Sequence, residues 1–136
     1  MALALVVEDD ELNLNLFTII VEMERWTVLK ARSQREAFLK LEVSQGPLNL
    51  VVTEISLRDG DGLEVAQYAM NRNPKTVCLF IADYQIEYIR EEYPAHKLIF
   101  LESQRTSLLV KPFTAIALRQ AVRHLATRTV GNNQAA

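Results

Sequence analysis

Short apolar runs alternate with segments of helical period along this chain. Leu3 to Val7 is a continuous apolar run, the pattern of a strand buried on both faces. Leu12, Leu16, Ile19 and Met23 then recur at helical spacing and predict a first helix ending before Trp26. Trp26 to Lys30 reads as a second strand. Ser33 followed by Glu36 forms a capping box, and Ala37, Phe38 and Leu41 supply the apolar face of a second helix, closed by Gly46-Pro47. Leu50 to Thr53 predicts a third strand, followed by a turn rich in Asp and Gly from Arg58 to Gly62. Leu63, Ala66 and Met70 line a third helix that Asn73-Pro74 stops. Thr76 to Ile81 is a fourth buried strand, and Asp83 is placed to cap a fourth helix over Tyr84 to Tyr93. Leu108 to Val110 gives a short fifth strand. Thr114 caps a last helix with Leu118, Ala121, Val122 and Leu125 inside.

Strands alternating with helices imply a parallel sheet covered by helices on both faces. In such sheets function gathers at the carboxyl ends of the strands. The stretch from Ala95 to Ser107 fits this plan least well. Its apolar run Leu98-Ile99-Phe100-Leu101 is compatible with an extra edge strand, a helical turn or a lid over the fourth helix. Residues 1–128 are expected to form one domain and 129–136 a flexible tail with nothing to bury.

Composition narrows the class without naming a function. The 136 residues are 49% hydrophobic and 24% charged, with a formal net charge of −2. That balance suits a globular domain and argues against a nucleic-acid binder, which would concentrate Lys and Arg. No segment approaches bilayer-spanning length, and the apolar start lacks the basic end of a signal peptide, so a cytoplasmic location is expected. Cys78 is the single cysteine and sits in an apolar run, which excludes a disulfide framework.

Chemistry is concentrated at the predicted strand ends. The first strand ends in Glu8-Asp9-Asp10, the third in Glu54 and the fifth in Lys111. In a parallel sheet these termini open on one edge, so several acids and one ammonium converge from distant positions. Paired carboxylates of this kind suit Mg²⁺, and a lysine beside them neutralises them or holds a phosphoryl oxygen. Taken singly, each has a plainer reading as a solvated loop, a helix-terminal acid or a salt bridge.

The chain resembles response-regulator receiver domains over about its first 126 residues. Leu5-Val-Val-Glu-Asp-Asp10 is similar to the family's acidic first-strand motif, with Glu8 and Asp9 on its paired metal-site acids. Asn49 to Val65 resembles the phosphoacceptor strand, its loop and the Asp-Gly opening the third helix, and Leu109-Val-Lys-Pro-Phe113 matches the Lys-Pro motif. The resemblance implies a flavodoxin-like (βα)5 α/β fold, a three-layer sandwich with strand order 2-1-3-4-5. It also implies a stand-alone signalling module whose metal ligands would be Glu8, Asp9 and Ser56.

The departures from the family lie along one mechanism. The acceptor position holds Glu54 in place of aspartate. One extra methylene moves the carboxylate by roughly 1.5 Å, and misplacement near 1 Å costs on the order of a hundredfold in rate. The hydroxyl expected at the end of the fourth strand is Ile81, which donates no hydrogen bond, and the aromatic switch position is Leu108. These changes lead us to expect a phosphorylation-independent pseudo-receiver acting through protein partners, such as a histidine kinase or another signalling protein, or through a homodimer. No cofactor is required on this reading, although Mg²⁺ is accommodated. Surplus length around Ala95 to Ser107 suggests a partner face built on Leu98, Ile99, Phe100 and Leu101, or an apolar run that packs on the sheet.

Two other readings stand beside it. The chain is a receiver that accepts a phosphoryl group despite Glu54, or, from a different class, a metal-dependent phosphoryl-transfer enzyme using Glu8 with Asp59 and Asp61. A nucleotide-binding role lacks its Gly-rich loop after the first strand. His96 and His124 read as solvated, and Arg119, Arg123 and Arg128 as a solvated basic face of the last helix.

Overall fold

Five parallel strands run through the centre of the molecule: β1 (Leu3–Val7), β2 (Thr27–Ala31), β3 (Leu48–Glu54), β4 (Val77–Ala82) and β5 (Thr106–Val110). They lie in the order β2-β1-β3-β4-β5. The computed structural model describes the backbone of residues 2–44 and 46–135, and the side chains of these except Phe100 and residues 129–135. Helices α1 (Glu11–Met23), α2 (Gln34–Val43), α3 (Gly62–Arg72), α4 (Ile86–Glu92) and α5 (Ala115–Ala135) follow the strands in turn. The last of these carries helical backbone through 129–135, where the tail was expected. No helix among the described residues is long and apolar enough to cross a membrane.

The sheet separates two apolar layers. On one side Ala4, Val6, Leu50, Val52, Leu79 and Ile81 meet Leu14, Phe17, Val21 of α1 and Leu118, Val122, Leu125 of α5. On the other, Leu5, Val7, Val51, Cys78 and Phe80 meet Ala37 and Leu41 of α2, Leu63 and Ala66 of α3, and Ile89 of α4. Alternate residues of each strand therefore serve opposite layers, the period-two rule of an extended chain. Burial pushes the Cys78 thiol up to about 12, so it behaves as a small apolar side chain.

Side-chain caps set the helix starts. Asp10 accepts from the Asn13 amide, Ser33 from Glu36, Asp61 from Glu64 and Thr114 from Ala117, each satisfying an otherwise orphaned amide. The capping box is shifted by one residue: Glu36 accepts from the Arg32 amide rather than from Ser33.

The structure corrects two sequence readings, on Asp83 and on the arginines of the last helix, and decides two that the sequence left open. The stripe Leu12, Leu16, Ile19 and Met23 that announces α1 faces solvent, while Leu14, Phe17, Ile20 and Val21 are its buried side. Helix α1 is apolar on both faces, so spacing alone could not choose between them. Asp83 caps nothing; α4 begins after Gln85 without a side-chain cap, and Asp83 lies at the strand-end cluster instead. The arginines of α5 are engaged: Arg119 and Arg123 both bind Glu24, and Arg128 donates to the carbonyls of Gln104 and Thr106. Of the forms open to the stretch after α4, the structure takes the helical one, a turn at Ala95–Leu98 followed by a 3₁₀ turn at Ile99–Glu102. Just beyond it, Arg105 donates to the carbonyls of Thr76, Met70 and Asn73, tying that segment to the end of α3.

Candidate functional site

The strand register brings four distant side chains to one corner. Ala4 and Val6 point into the α1/α5 layer, so the next residue of that parity, Glu8, does as well. The same rule carries Leu50 and Val52 on to Glu54, Leu79 to Ile81, and Leu109 to Lys111. Pairing then sets them side by side: Glu54 is opposite Ile81, and the Lys111 amide donates to the Ala82 carbonyl at 2.9 Å. All four stand at the carboxyl edge of the sheet, above the core.

Charge in this corner is packed tightly and mostly out of water. Glu8 is 1% and Glu54 3% exposed. The Lys111 ammonium pairs with Glu54 Oε1, stands 3.8 Å from Glu8 Oε2 and 3.7 Å from Asp83 Oδ1. Burial alone would lower the Lys111 ammonium, but Glu54, Glu8 and Asp83 together hold it above its ordinary value. Glu8 is shifted furthest: burial, a hydrogen bond to Glu54 and the Glu54 charge raise its carboxyl from 4.5 to about 9. Its Oε2 has no donor. As a neutral acid, Glu8 loses that orphaned acceptor and gains an O–H aimed at Glu54, while Oε1 accepts from the Asp10 amide at 3.1 Å. At neutral pH Glu8 is thus neutral and the Lys111 ammonium offsets Glu54, while the more exposed Asp83 remains beside them.

The direction of that shift sets a pH dependence. The folded state keeps a proton on Glu8 that the unfolded chain releases near 4.5, so this group's contribution is full at low pH and declines as pH rises toward 9. Glu8→Gln keeps a donor toward Glu54 without that proton uptake. It should stabilise the domain by about 1–2 kcal/mol at neutral pH and flatten the pH dependence of urea unfolding between 4.5 and about 9. Identical slopes for the two proteins would contradict a neutral Glu8.

These donors fit a divalent cation poorly. The Lys111 ammonium already pairs with Glu54, and the orphaned Glu8 Oε2 faces it at 3.8 Å. Asp9 is only half-buried and Ser56 exposed. Among the described residues no three acidic, histidine or cysteine side chains gather as a metal site.

The other acids have structural work. Asp59 accepts from the amides of Gln34 and Arg35 at the start of α2, which holds its carboxyl below the usual range. Asp61 caps α3 and binds Lys97 at 2.6 Å. Neither converges with Glu8, so the phosphoryl-transfer constellation does not form. Instead the loop after Glu54, a small hairpin of Ser56–Leu57 with Gly60–Asp61, is pinned on two sides. Gln34 of α2 donates to the Asp61 carbonyl and to Glu64, and Lys97 reaches it from the segment after α4.

The remaining expected positions divide between the layers. Ile81 lies in the α1/α5 layer beside Glu54, whereas Leu108 packs partly buried against the opposite layer. Leu98 and Leu101 also turn inward onto that layer, and Ile99 is 68% exposed. The side chain of Phe100 lies outside the described residues. Sequence reading missed Asp83 and Lys97. The first follows β4 directly, as Glu8 follows β1, which was the available signal; Lys97 carried none.

Comparison with known proteins agrees with this geometry. The family model for the response regulator receiver domain matches residues 4–123. The fold is similar to a CheY-like receiver domain protein from Methanospirillum hungatei, with 20% identity, a TM-score of 0.76, and coverage of 97% of this chain and 98% of that one. A response regulator receiver protein from Sinorhizobium medicae is 23% identical with a TM-score of 0.75, covering 94% and 96%. A receiver domain protein from Clostridium thermocellum is 20% identical with a TM-score of 0.75, again covering 94% and 96%. Comparison with curated proteins finds no match.

Proposed function

This chain belongs to the response regulator receiver domain family, and we propose that it is an atypical member whose input is not phosphorylation. The observation that carries this reading is the pairing of buried Glu54 with half-buried Lys111. Glu54 stands where the phosphoacceptor would be, with its carboxylate already bound to the lysine that would otherwise meet a phosphoryl oxygen. Attack on a phosphodonor would have to break that pair inside a corner shared with Glu8. Ile81 beside it offers no hydroxyl to follow a new charge.

A protein of this kind acts by presenting a surface to a signalling partner, such as a histidine kinase, or to another copy of itself. Glu54 supplies a fixed negative charge against Lys111, which imitates part of what phosphorylation brings, although a carboxylate carries less charge and fewer oxygens.

The test is intact-mass measurement after incubation with acetyl phosphate and Mg²⁺. The expected spectrum shows no added phosphoryl group, and Glu54→Asp with Ile81→Thr restores partial labelling. A stable adduct on the unaltered chain would overturn the proposal.

A further inference from the structure

The solvent face of α1 is an extended apolar feature that the strand-end corner does not use. Leu12 is 79% exposed, Leu16 50%, Ile19 56% and Met23 54%. Their intervals are four, three and four residues, the seam spacing that lets two helices interlock along a common line. Single exposed leucines need no explanation, but a contiguous stripe along a whole helix does.

We propose that this stripe is the contact surface of a homodimer in which α1 pairs antiparallel with α1 of a second copy. In that arrangement Leu12 meets the other copy's Met23, and Leu16 meets its Ile19. The interface is isologous, each half supplying the same four residues.

Charge selects both the occupant and the direction. The amino end of α1 carries exposed Asp10 and Glu11. At its carboxyl end Glu24 is held by both Arg119 and Arg123, and exposed Arg25 offsets exposed Glu22, leaving that end net positive. Antiparallel pairing sets each acidic end against a basic one, while parallel pairing sets acid against acid. The same chain therefore bears both halves of a complementary pair. A 13-residue helix gives a seam of about 20 Å, short of a standard interface. Self-association on the order of ten to a hundred micromolar is expected.

Sedimentation velocity of the full chain, over about 5 to 500 µM at low salt, reads this directly. The unaltered protein should shift from monomer to dimer. Leu16→Glu with Ile19→Glu should remain monomeric, with circular dichroism and melting temperature unchanged at about 5 µM, where both proteins are monomers, because both positions are exposed. Leu12→Cys with Met23→Cys should give a disulfide-linked dimer on mild oxidation, whereas either change alone should not; Cys78 is buried and does not interfere. Arg25→Glu should weaken the dimer, and adding Glu11→Arg should restore it. A monomer throughout, or a dimer indifferent to the Leu16 and Ile19 changes, would overturn the proposal. So would cross-linking through Leu12→Cys alone, which signals parallel pairing. If the unaltered chain stays monomeric while the stripe variant loses binding to another protein, the face belongs to that partner and the dimer is refuted.

Discussion

Lys111→Met is expected to destabilise the domain by about 3 kcal/mol at neutral pH. The ammonium is the only cation placed within 4 Å of Glu54 among the described residues, and it also neighbours Glu8 and Asp83. Methionine keeps most of the stem but leaves a carboxylate that is 3% exposed without its countercharge. The chain must then protonate Glu54, admit water or separate the strand ends, and each costs free energy. Removing both charges should cost much less than removing the lysine alone. Glu54→Gln with Lys111→Met removes both charges of the pair and leaves an amide able to donate to surrounding oxygens. The comparison is a double-mutant cycle by urea unfolding, with a favourable coupling of about 1.5–3 kcal/mol expected. Additive effects would show that the pair contributes nothing beyond two separate side chains. They would also remove the main support for a Glu54 carboxylate held by Lys111 and closed to a phosphodonor.

Gly62→Ala should be comparably severe, about 3 kcal/mol or more, for steric reasons alone. A Cβ at Gly62 would lie 2.0 Å from the Glu54 carbonyl oxygen and 2.6 Å from Thr53 Oγ1. Both belong to the β3 end, where the Thr53 hydroxyl donates to that same carbonyl and the Gly62 amide donates to Ile55 at 2.8 Å. Backbone cannot swing aside as a side chain can, so α3 would have to lift from the end of β3. That would carry Glu54 away from Lys111. Gly60→Ala is the control: the nearest atoms its Cβ would meet are the end of the Gln34 side chain, which can rotate at a smaller cost, about 1 kcal/mol. Unfolding midpoints of the two variants give the comparison. Equal losses would mean that close approach at Gly62 is not what holds α3 against β3.

Much of this site could be read before folding was considered. A strand's side chains alternate, so Glu8, Glu54, Ile81 and Lys111, each at the end of a predicted strand, were bound to open on one edge of a parallel sheet. The helix caps Ser33 and Thr114 and the Asp-Gly opening α3 were legible for the same reason: their chemistry is local, acting over three or four residues.

What sequence could not decide was anything that depended on which surfaces meet. Helix α1 has two apolar stripes, and only its docking on the sheet selects Leu14, Phe17, Ile20 and Val21 for burial and leaves Leu12, Leu16, Ile19 and Met23 outside. Asp83 looked like a cap because nothing within four residues revealed Lys111, which β5 places beside it. Lys97 and Asp61 meet across a separation of 36 residues, and the protonation of Glu8 depends on burial shared with Glu54. Local pattern determined the elements, the caps and the edge of the sheet where charge collects. The tertiary structure decided which face is buried, which acids remain ionised and which lysine answers which carboxylate, because burial and long-range charge exist only once the layers have closed.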